Sequence, residues 1–198
     1  MSLDIHIDPG GRGAQAEKER LRLELLHRRQ VIPQDLKSTT RWKVINNLRT
    51  LHSQLSPAVV GVYSPIKDEI DLMPWVEELW ENEEIVALPR VVEREHPLVY
   101  NIWEKGDPLE PDAVGVPCAT GPEVIPAFMA IPTLGYNRHG YRLGYGGGYF
   151  DITLKEMGQQ TVTVGVAYTE MEVEHFPCQY HDQRLQYFVT GKEVITCL

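Results

Sequence analysis

Residues 128–167 read FMAIPTLGYNRHGYRLGYGGGYFDITLKEMGQQTVTVGVA, and this stretch decides the fold. Residues 128–134 and 161–167 are almost continuous apolar or β-branched runs, which is typical of strands buried on both faces of a sheet. A glycine-rich loop and a helical segment, residues 150–157, lie between them. A strand, a helix and a second strand in this order predict two parallel strands joined by a crossover, the repeating unit of α/β folds.

The remainder of the chain continues this alternation of helices and strands. Helices are expected over residues 17–33, 41–55 and 72–83, because apolar residues recur there at helical spacing. Strands are expected over residues 59–64, 85–88, 98–103 and 186–190, the second of them ending at Pro89. The pattern predicts a three-layer α/β/α fold with a mostly parallel sheet. In such folds ligands bind beyond the carboxyl ends of the strands, where residues 63–71, the loop from Gly135 and the segment after Ala167 are expected to meet.

Length and charge limit the possible functions. The chain has 198 residues, 42% apolar and 24% charged, with a net charge of -9. We expect a flexible N-terminal arm over residues 1–16 and a single domain over residues 17–198. The negative charge argues against binding to nucleic acid, since phosphate backbones favour basic surfaces. No apolar run reaches membrane-spanning length, so no membrane association is expected. Three scattered cysteines suggest neither a zinc site nor disulfides, and indicate a reducing cytoplasm.

The loop of residues 135–151 carries the clearest functional signal. Its glycines let backbone N–H groups approach a ligand, and a run of such groups binds anions. Arg142 adds donors suited to phosphate, and Asp151 adds an oxygen suited to Mg²⁺. A glycine-rich solvent loop is the alternative, but it gives no reason for the interleaved Tyr and Arg residues. The loop lacks the Gly-Lys-Ser/Thr of a P-loop and the glycine spacing of a dinucleotide fingerprint, so the residues alone indicate an enzyme acting on a phosphate ligand.

The segment RLGYGGGYFD, residues 142–151, is similar to the signature of the 5-formyltetrahydrofolate cyclo-ligase family, also called 5,10-methenyltetrahydrofolate synthetases. The resemblance extends upstream to Pro132, to residues 135–137 and to Gly140. Weaker matches follow the family's order elsewhere: KERLR at residues 18–22, SPIKDEI at residues 64–70, and His181-Asp182 near the C-terminus. Together they span nearly the whole chain beyond residue 17.

Four positions depart from the family pattern. Many members have Asp in place of Asn137, some have Lys in place of Gly147, and Arg is frequent in place of Ile152. Some members also have an acid where this chain has Gln186, which weakens the case for a second protein ligand to a metal at that end.

The resemblance implies a reaction and a fold. The family converts 5-formyltetrahydrofolate and ATP to 5,10-methenyltetrahydrofolate, ADP and phosphate with Mg²⁺. Its α/β architecture resembles the one shared by sugar-phosphate isomerases and CoA transferases. The implied partners are therefore two small molecules, folate and ATP, and a cytoplasmic monomer is expected.

The resemblance also implies roles for individual residues. Arg142 and Tyr149 are expected to be catalytic, and Asp151 and Asp182 to hold Mg²⁺. Binding residues form two overlapping sets. Those expected to bind ATP are Lys18, Arg22, Arg142, Leu143, Gly144, Tyr145, Gly146, Gly147, Gly148, Tyr149 and Phe150. Those expected to bind folate are Tyr63, Glu69, Tyr145, Gly146, Gly147, Gly148 and Tyr149.

Two other functions stay open from the sequence. One is a sugar-phosphate or acyl-group enzyme on the same fold, since fold alone does not fix function. The other is a family-like protein that binds nucleotide or folate without turnover, which the departures at Asn137 and Gln186 slightly favour.

Overall fold

The structure is a computed structural model, and it describes residues 12–175 and 177–197. In this part of the chain the α-helices are α1 (Arg12–Gln30), α2 (Gln34–Leu55), α3 (Met73–Glu81) and α4 (Tyr149–Met157). Short 3₁₀ turns follow at Gly158–Gln160 and Thr169–Met171. None of these helices combines the length and the apolar character needed to cross a bilayer.

The strands of the described residues form one large sheet and two small ladders. Those of the large sheet are β1 (Val59–Gly61), β2 (Ile85–Arg90), β3 (Val99–Ile102), β6 (Phe128–Pro132), β9 (Val162–Val166), β10 (Tyr187–Val189) and β11 (Val194–Thr196). Those of the small ladders are β4 (Glu110–Pro111) with β5 (Pro117–Cys118), and β7 (Gly135–Tyr136) with β8 (Arg142–Leu143).

The large sheet has the order β11-β10-β9-β6-β1-β2-β3. Neighbouring strands from β10 through β2 are parallel, and only the edge strands β11 and β3 are antiparallel to their neighbours. The predicted mostly parallel α/β fold is therefore confirmed. The unit read from residues 128–167 lies at the centre of the sheet, where β6 pairs along its whole length with β9.

Burial explains why these segments are strands. Phe128, Met129, Ala130 and Ile131 of β6 are all fully buried, as a strand covered on both faces requires. On β9, Gly165 makes room for the ring of Phe188 on β10, since a β-carbon at this glycine would lie 2.2 Å from the ring. Close contact between these two strands thus depends on the absence of a side chain.

Several element boundaries differ from the sequence predictions. Helix α1 begins at Arg12, so residues 12–16 of the predicted arm are helical, whereas residues 1–11 lie outside the described residues. Helix α2 begins at Gln34, seven residues before the prediction, directly after Pro33 with its extended backbone. The prediction that β2 ends at Pro89 is wrong. The strand continues to Arg90 because β1 pairs only as far as Ala87, and Pro89 faces β3 alone.

Candidate active site

A cleft of about 330 Å³ lies beyond the carboxyl ends of β1 and β6. It brings together all the residues that the sequence analysis assigned to ATP, folate or metal. They are Lys18, Arg22, Tyr63, Glu69, Arg142, Leu143, Gly144, Tyr145, Gly146, Gly147, Gly148, Tyr149, Phe150, Asp151 and Asp182. The expectation that the segment after β1, the glycine-rich loop and the C-terminal segment meet on one side of the sheet is thus confirmed.

The glycine-rich loop forms the entrance to helix α4. Gly146 and Gly148 have φ values of 97° and 70°, in the left-handed region that glycine adopts without a Cβ clash. Gly148 occupies the N-cap position of α4 and provides no side-chain cap for its first N–H groups. Because those groups have no partner within the helix, the N-terminus of α4 offers donors and a positive dipole end to an anion.

Helix α1 places two cations against this loop. Arg22 donates from Nε to the carbonyl of Gly144 at 3.0 Å and from Nη1 to Glu19 at 2.8 Å. Lys18 lies one helical turn earlier and is 4% exposed. Its Nζ forms a 2.6 Å salt bridge with Asp182 and donates to Gln179 at 3.1 Å. Both cations, buried against polar partners, are held in place at the cleft wall.

Arg142 and Asp151, the first and last residues of the RLGYGGGYFD segment, form a second ion pair in which Arg142 is buried and Asp151 partly exposed. Arg142 Nη2 lies 3.1 Å from Asp151 Oδ2, and its Nη1 donates to the carbonyl of Gln183 at 3.3 Å. The backbone N–H of Gln183 donates to the other oxygen of Asp151 at 2.9 Å. This closed ring of contacts ties β8, the first turn of α4 and the C-terminal segment together. Phe150 packs beside it, with its ring 5.9 Å from the Arg142 guanidinium carbon.

Glu69 is partly buried and lines the same cleft. Its Oε2 accepts the backbone N–H of Ile66 at 2.9 Å, which closes a tight turn. Burial raises the pKa of the Glu69 carboxyl to about 7, against the opposing effects of the Ile66 hydrogen bond and of Arg29. Tyr63 stands beside it, fully buried, and donates to the carbonyl of Ile70 at 2.7 Å. Burial also raises the pKa of Tyr63, so this phenol stays neutral.

Two residues that depart from the family pattern have clear structural partners. The side-chain oxygen of Asn137 accepts the backbone N–H groups of His139 and Tyr141, each at 3.1 Å. Gln186 exchanges hydrogen bonds with Thr163 of β9, both at 3.0 Å. The Gln186 side chain is thus engaged by the sheet, and it does not line the cleft.

Sequence reasoning missed several residues that shape the cleft or lie behind it. Asp112 accepts backbone N–H groups of Val91, Val114 and Val116, and so shapes the β4–β5 loop whose valines line the cleft. Arg29, fully buried behind the cleft, was also missed. Its spacing of seven residues from Arg22 places it on the same face of α1, and this was the available signal.

Comparison with known proteins gives a consistent result. The model of the 5-formyltetrahydrofolate cyclo-ligase family matches residues 14–191. The 5-formyltetrahydrofolate cyclo-ligase of Mycoplasma pneumoniae is 26% identical over 155 residues, which cover 77% of this chain and 86% of that protein. The enzyme of the same name from Mycolicibacterium smegmatis is 25% identical over 194 residues, 91% of this chain and 97% of that protein. An NMR structure of Aquifex aeolicus 5,10-methenyltetrahydrofolate synthetase superimposes with a TM-score of 0.79 at 31% identity, covering 91% of this chain and 92% of that one.

Proposed function

Because this chain belongs to the 5-formyltetrahydrofolate cyclo-ligase family, we propose that its cleft binds ATP and 5-formyltetrahydrofolate and closes the folate ring. The resemblance carried by the glycine signature is thereby confirmed. One observation carries the proposal for the site. The cleft gathers a glycine-rich helix entrance, three Lys or Arg side chains and the partly buried carboxylate of Glu69 from segments far apart in the chain.

The chemical problem is a poor electrophile, since the N5-formyl group is an amide whose oxygen leaves with difficulty. ATP transfers its terminal phosphoryl group to the formyl oxygen, and ADP is released. The lone pair of N10 then attacks the formyl carbon, the carbon–oxygen bond breaks, and phosphate leaves with that oxygen while N10 loses its proton. Positioning and charge stabilisation supply most of the catalysis in phosphoryl transfer.

The phosphates would lie at the N-terminus of α4. The backbone N–H groups of residues 144–148 supply donors there, and Lys18 and Arg22 supply positive charge from α1. Arg142 would stabilise the charge that develops on the transferred phosphoryl oxygens. Its ion pair with Asp151 supports this role, because a guanidinium held by two contacts needs little reorganisation during the reaction.

The acidic residues of the cleft could hold Mg²⁺ only if phosphate groups of the nucleotide supply further ligands. No group of three or more His, Cys, Asp or Glu able to hold a metal occurs within residues 12–175 and 177–197. Mg²⁺ commonly uses one or two carboxylates together with substrate phosphates and water. Asp151, beside the glycine-rich loop, would hold the ion, which neutralises phosphate charge when bound. Asp182 stays a candidate second ligand, although its salt bridge with Lys18 supports a role in orienting that lysine.

The folate ring would bind over Glu69. An ionised carboxylate accepts two neighbouring N–H donors, such as those on one edge of the pterin ring. Tyr63, Tyr145 and Tyr149 line the same cleft and offer flat surfaces to the pterin or benzoate ring. Tyr149, at the first position of α4, would also help to align the formyl group with the phosphate, which is its proposed catalytic role.

We also propose that the protein acts as a cytoplasmic monomer. Cys118, Cys178 and Cys197 are all buried, and their scattered positions in the chain match no disulfide framework, as expected where thiols stay reduced. A monomer is consistent with the cleft, because one chain supplies every residue proposed to bind ATP and folate.

The test is an absorbance assay for 5,10-methenyltetrahydrofolate with ATP, Mg²⁺ and 5-formyltetrahydrofolate. Product must appear with release of ADP and phosphate, and omission of ATP must abolish it. R142A should lose turnover, whereas R138A, a matched arginine in an exposed ion pair with Glu172, should keep it. Absence of this product together with ATP-independent turnover of a sugar phosphate or an acyl donor would favour the sugar-phosphate or acyl-group enzyme. Ligand-induced thermal stabilisation without product would favour a binding protein.

A further inference from the structure

The glycine-rich loop is held only weakly by its own backbone. Residues 144–147 lie between the end of β8 and the N-cap of α4. Among the described residues, no backbone–backbone hydrogen bond involves any of these four. Three of them are glycines, which lose more conformational freedom on ordering than any other residue. Because backbone N–H groups bind phosphate best when they are already aligned, contacts from other elements have to fix this segment.

Helix α1 holds the segment at two adjacent residues. Arg22 Nε donates to the carbonyl of Gly144 at 3.0 Å, and Arg29 Nη2 donates to the hydroxyl of Tyr145. The two arginines are seven residues apart and so lie on the same face of α1. From the loop after β1, Lys67 Nζ lies 4.7 Å from the centre of the Tyr145 ring. Tyr145 is the one member of the segment with a side chain, so it is the residue through which other elements can hold the loop.

Arg29 is a buried cation that the proposed function does not use. It is 1% exposed, although burial of a guanidinium is costly unless hydrogen bonds or opposite charges compensate it. Its guanidinium carbon lies 5.6 Å from the centre of the Tyr145 ring, and its Nε has no hydrogen-bond partner among the described residues. Tyr145 lines the cleft, whereas Arg29 does not. Arg29 can therefore act on a ligand in the cleft only through the residues it touches, and Tyr145 is one of them.

We propose that Arg29 is a positioning residue, which holds the Tyr145 side chain and thereby keeps the backbone N–H groups of the glycine-rich loop aligned for the phosphates of ATP. The inference rests on the proposed binding of ATP at this loop. Arg22 holds the neighbouring carbonyl, but it also lines the cleft and would contact ATP itself. Arg29 supplies an anchor that does not share its contacts with the ligand.

The first experiment measures the Kd of ATP by isothermal titration calorimetry in the parent chain and in R29M, R29K and Y145F. Met has a helix propensity close to that of Arg but no donor, and Phe keeps the ring of Tyr145 without its hydroxyl. We expect the Kd to rise about tenfold in R29M and in Y145F, and less in R29K, whose ammonium group can still donate to the hydroxyl. The double variant R29M/Y145F should bind ATP as R29M does, because both substitutions remove the same hydrogen bond.

The matched control is R28M. Arg28 is the adjacent residue on α1; its guanidinium pairs with Glu24 at 2.7 Å and donates to the carbonyl of Glu170 at 3.1 Å. It does not line the cleft. R28M removes an arginine from the same turn of the helix, and it should bind ATP as tightly as the parent chain.

A second experiment measures the order of the loop directly, by NMR relaxation of the chain labelled with ¹⁵N-glycine and without ligand. The order parameters of Gly146 and Gly147 should lie near about 0.85 in the parent chain, as in a rigid backbone, and fall toward about 0.6 in R29M and Y145F. Gly165, buried in β9, is the internal reference and should not change. Y145F loses a single oxygen atom, so it remains informative if R29M folds poorly.

The outcomes separate the inference from the proposed function. If the parent chain binds ATP and both R29M and Y145F bind it equally tightly, the role of Arg29 is refuted and the phosphate site stands. Additive losses in the double variant would refute action through one shared contact. Parent-like order at Gly146 in both single variants would refute alignment of the loop as the cause. If the parent chain binds no ATP, the proposed function fails and the inference fails with it.

Discussion

The substitution G146A tests whether the shape of the glycine-rich loop is what binds phosphate. Gly146 has a φ of 97°, and a β-carbon there would lie 3.4 Å from the Arg22 guanidinium carbon. Holding Ala in this backbone conformation costs about 1–2 kcal/mol. Since each kcal/mol lowers the Tm of a chain this long by about 2–4 °C, a decrease of about 2–8 °C is expected.

A second effect of G146A concerns ATP. The unfavourable φ of Ala at position 146 shifts the backbone of the loop, in which the Gly144 carbonyl accepts from Arg22 at 3.0 Å. A shifted loop misaligns its backbone N–H groups and Arg22 at the phosphate site, and hydrogen bonds to charged groups contribute about 1.5–3 kcal/mol. The Kd of ATP should therefore rise about tenfold or more, measured by isothermal titration calorimetry.

The matched control is G158A. Gly158 also has a positive φ, 63°, with no atom within 4 Å of its would-be β-carbon, and it does not line the cleft. This variant should lose stability and keep its affinity for ATP. A G146A variant that is destabilised yet binds ATP as tightly as the parent chain would refute the placement of the phosphates at this loop.

Four further predictions concern the rest of the site. Burial raises the pKa of Glu69 from 4.5 to about 7, so ionisation of this carboxyl opposes folding above pH 4.5. As the pH rises toward 7, the free energy of unfolding of E69Q, measured in urea, should therefore increase relative to that of the parent chain. R142A should lower kcat about 100-fold or more in the absorbance assay, because it removes a charge aimed at the transferred phosphoryl group, and an unchanged kcat would exclude that role. K18M should lower the free energy of unfolding by about 3 kcal/mol, since it leaves Asp182 without its cation, and D182N should restore part of the loss in the double variant. Chelation of Mg²⁺ with EDTA should stop turnover and excess Mg²⁺ should restore it, whereas full activity in EDTA would contradict the proposed use of the ion.

The centre of the fold was predictable because its signals are local. Strands β6 and β9 are continuous apolar runs, and their spacing around a short helix allowed a parallel pair to be predicted. Strands β7 and β8 were missed because a ladder of two residues on each side has no periodicity to detect. Pro89 was wrongly predicted to end β2. Its missing N–H breaks a strand only where a neighbouring strand would accept a hydrogen bond from it, and the sequence does not show that β1 stops pairing with β2 before Pro89.

The residues of the site, too, were predictable only where the signal is local in the sequence. The glycine-rich loop and Arg142 form one contiguous motif, so their proximity follows from the sequence. Lys18 and Asp182 are separated by 164 residues, and nothing in either segment indicates that they form a salt bridge. Arg29 was missed because a basic residue on a basic helix usually faces solvent, and only the tertiary structure shows that this one is buried against Tyr145.

The fate of the formyl oxygen tests the proposed phosphorylation by ATP most directly. If ATP phosphorylates the formyl oxygen, 5-formyltetrahydrofolate labelled with ¹⁸O in that group must pass its label to the phosphate that is released, with one labelled oxygen in each phosphate. Mass spectrometry of the phosphate after a single turnover measures this transfer. Label in phosphate is the predicted result, and unlabelled phosphate with the label in water or folate would contradict the account.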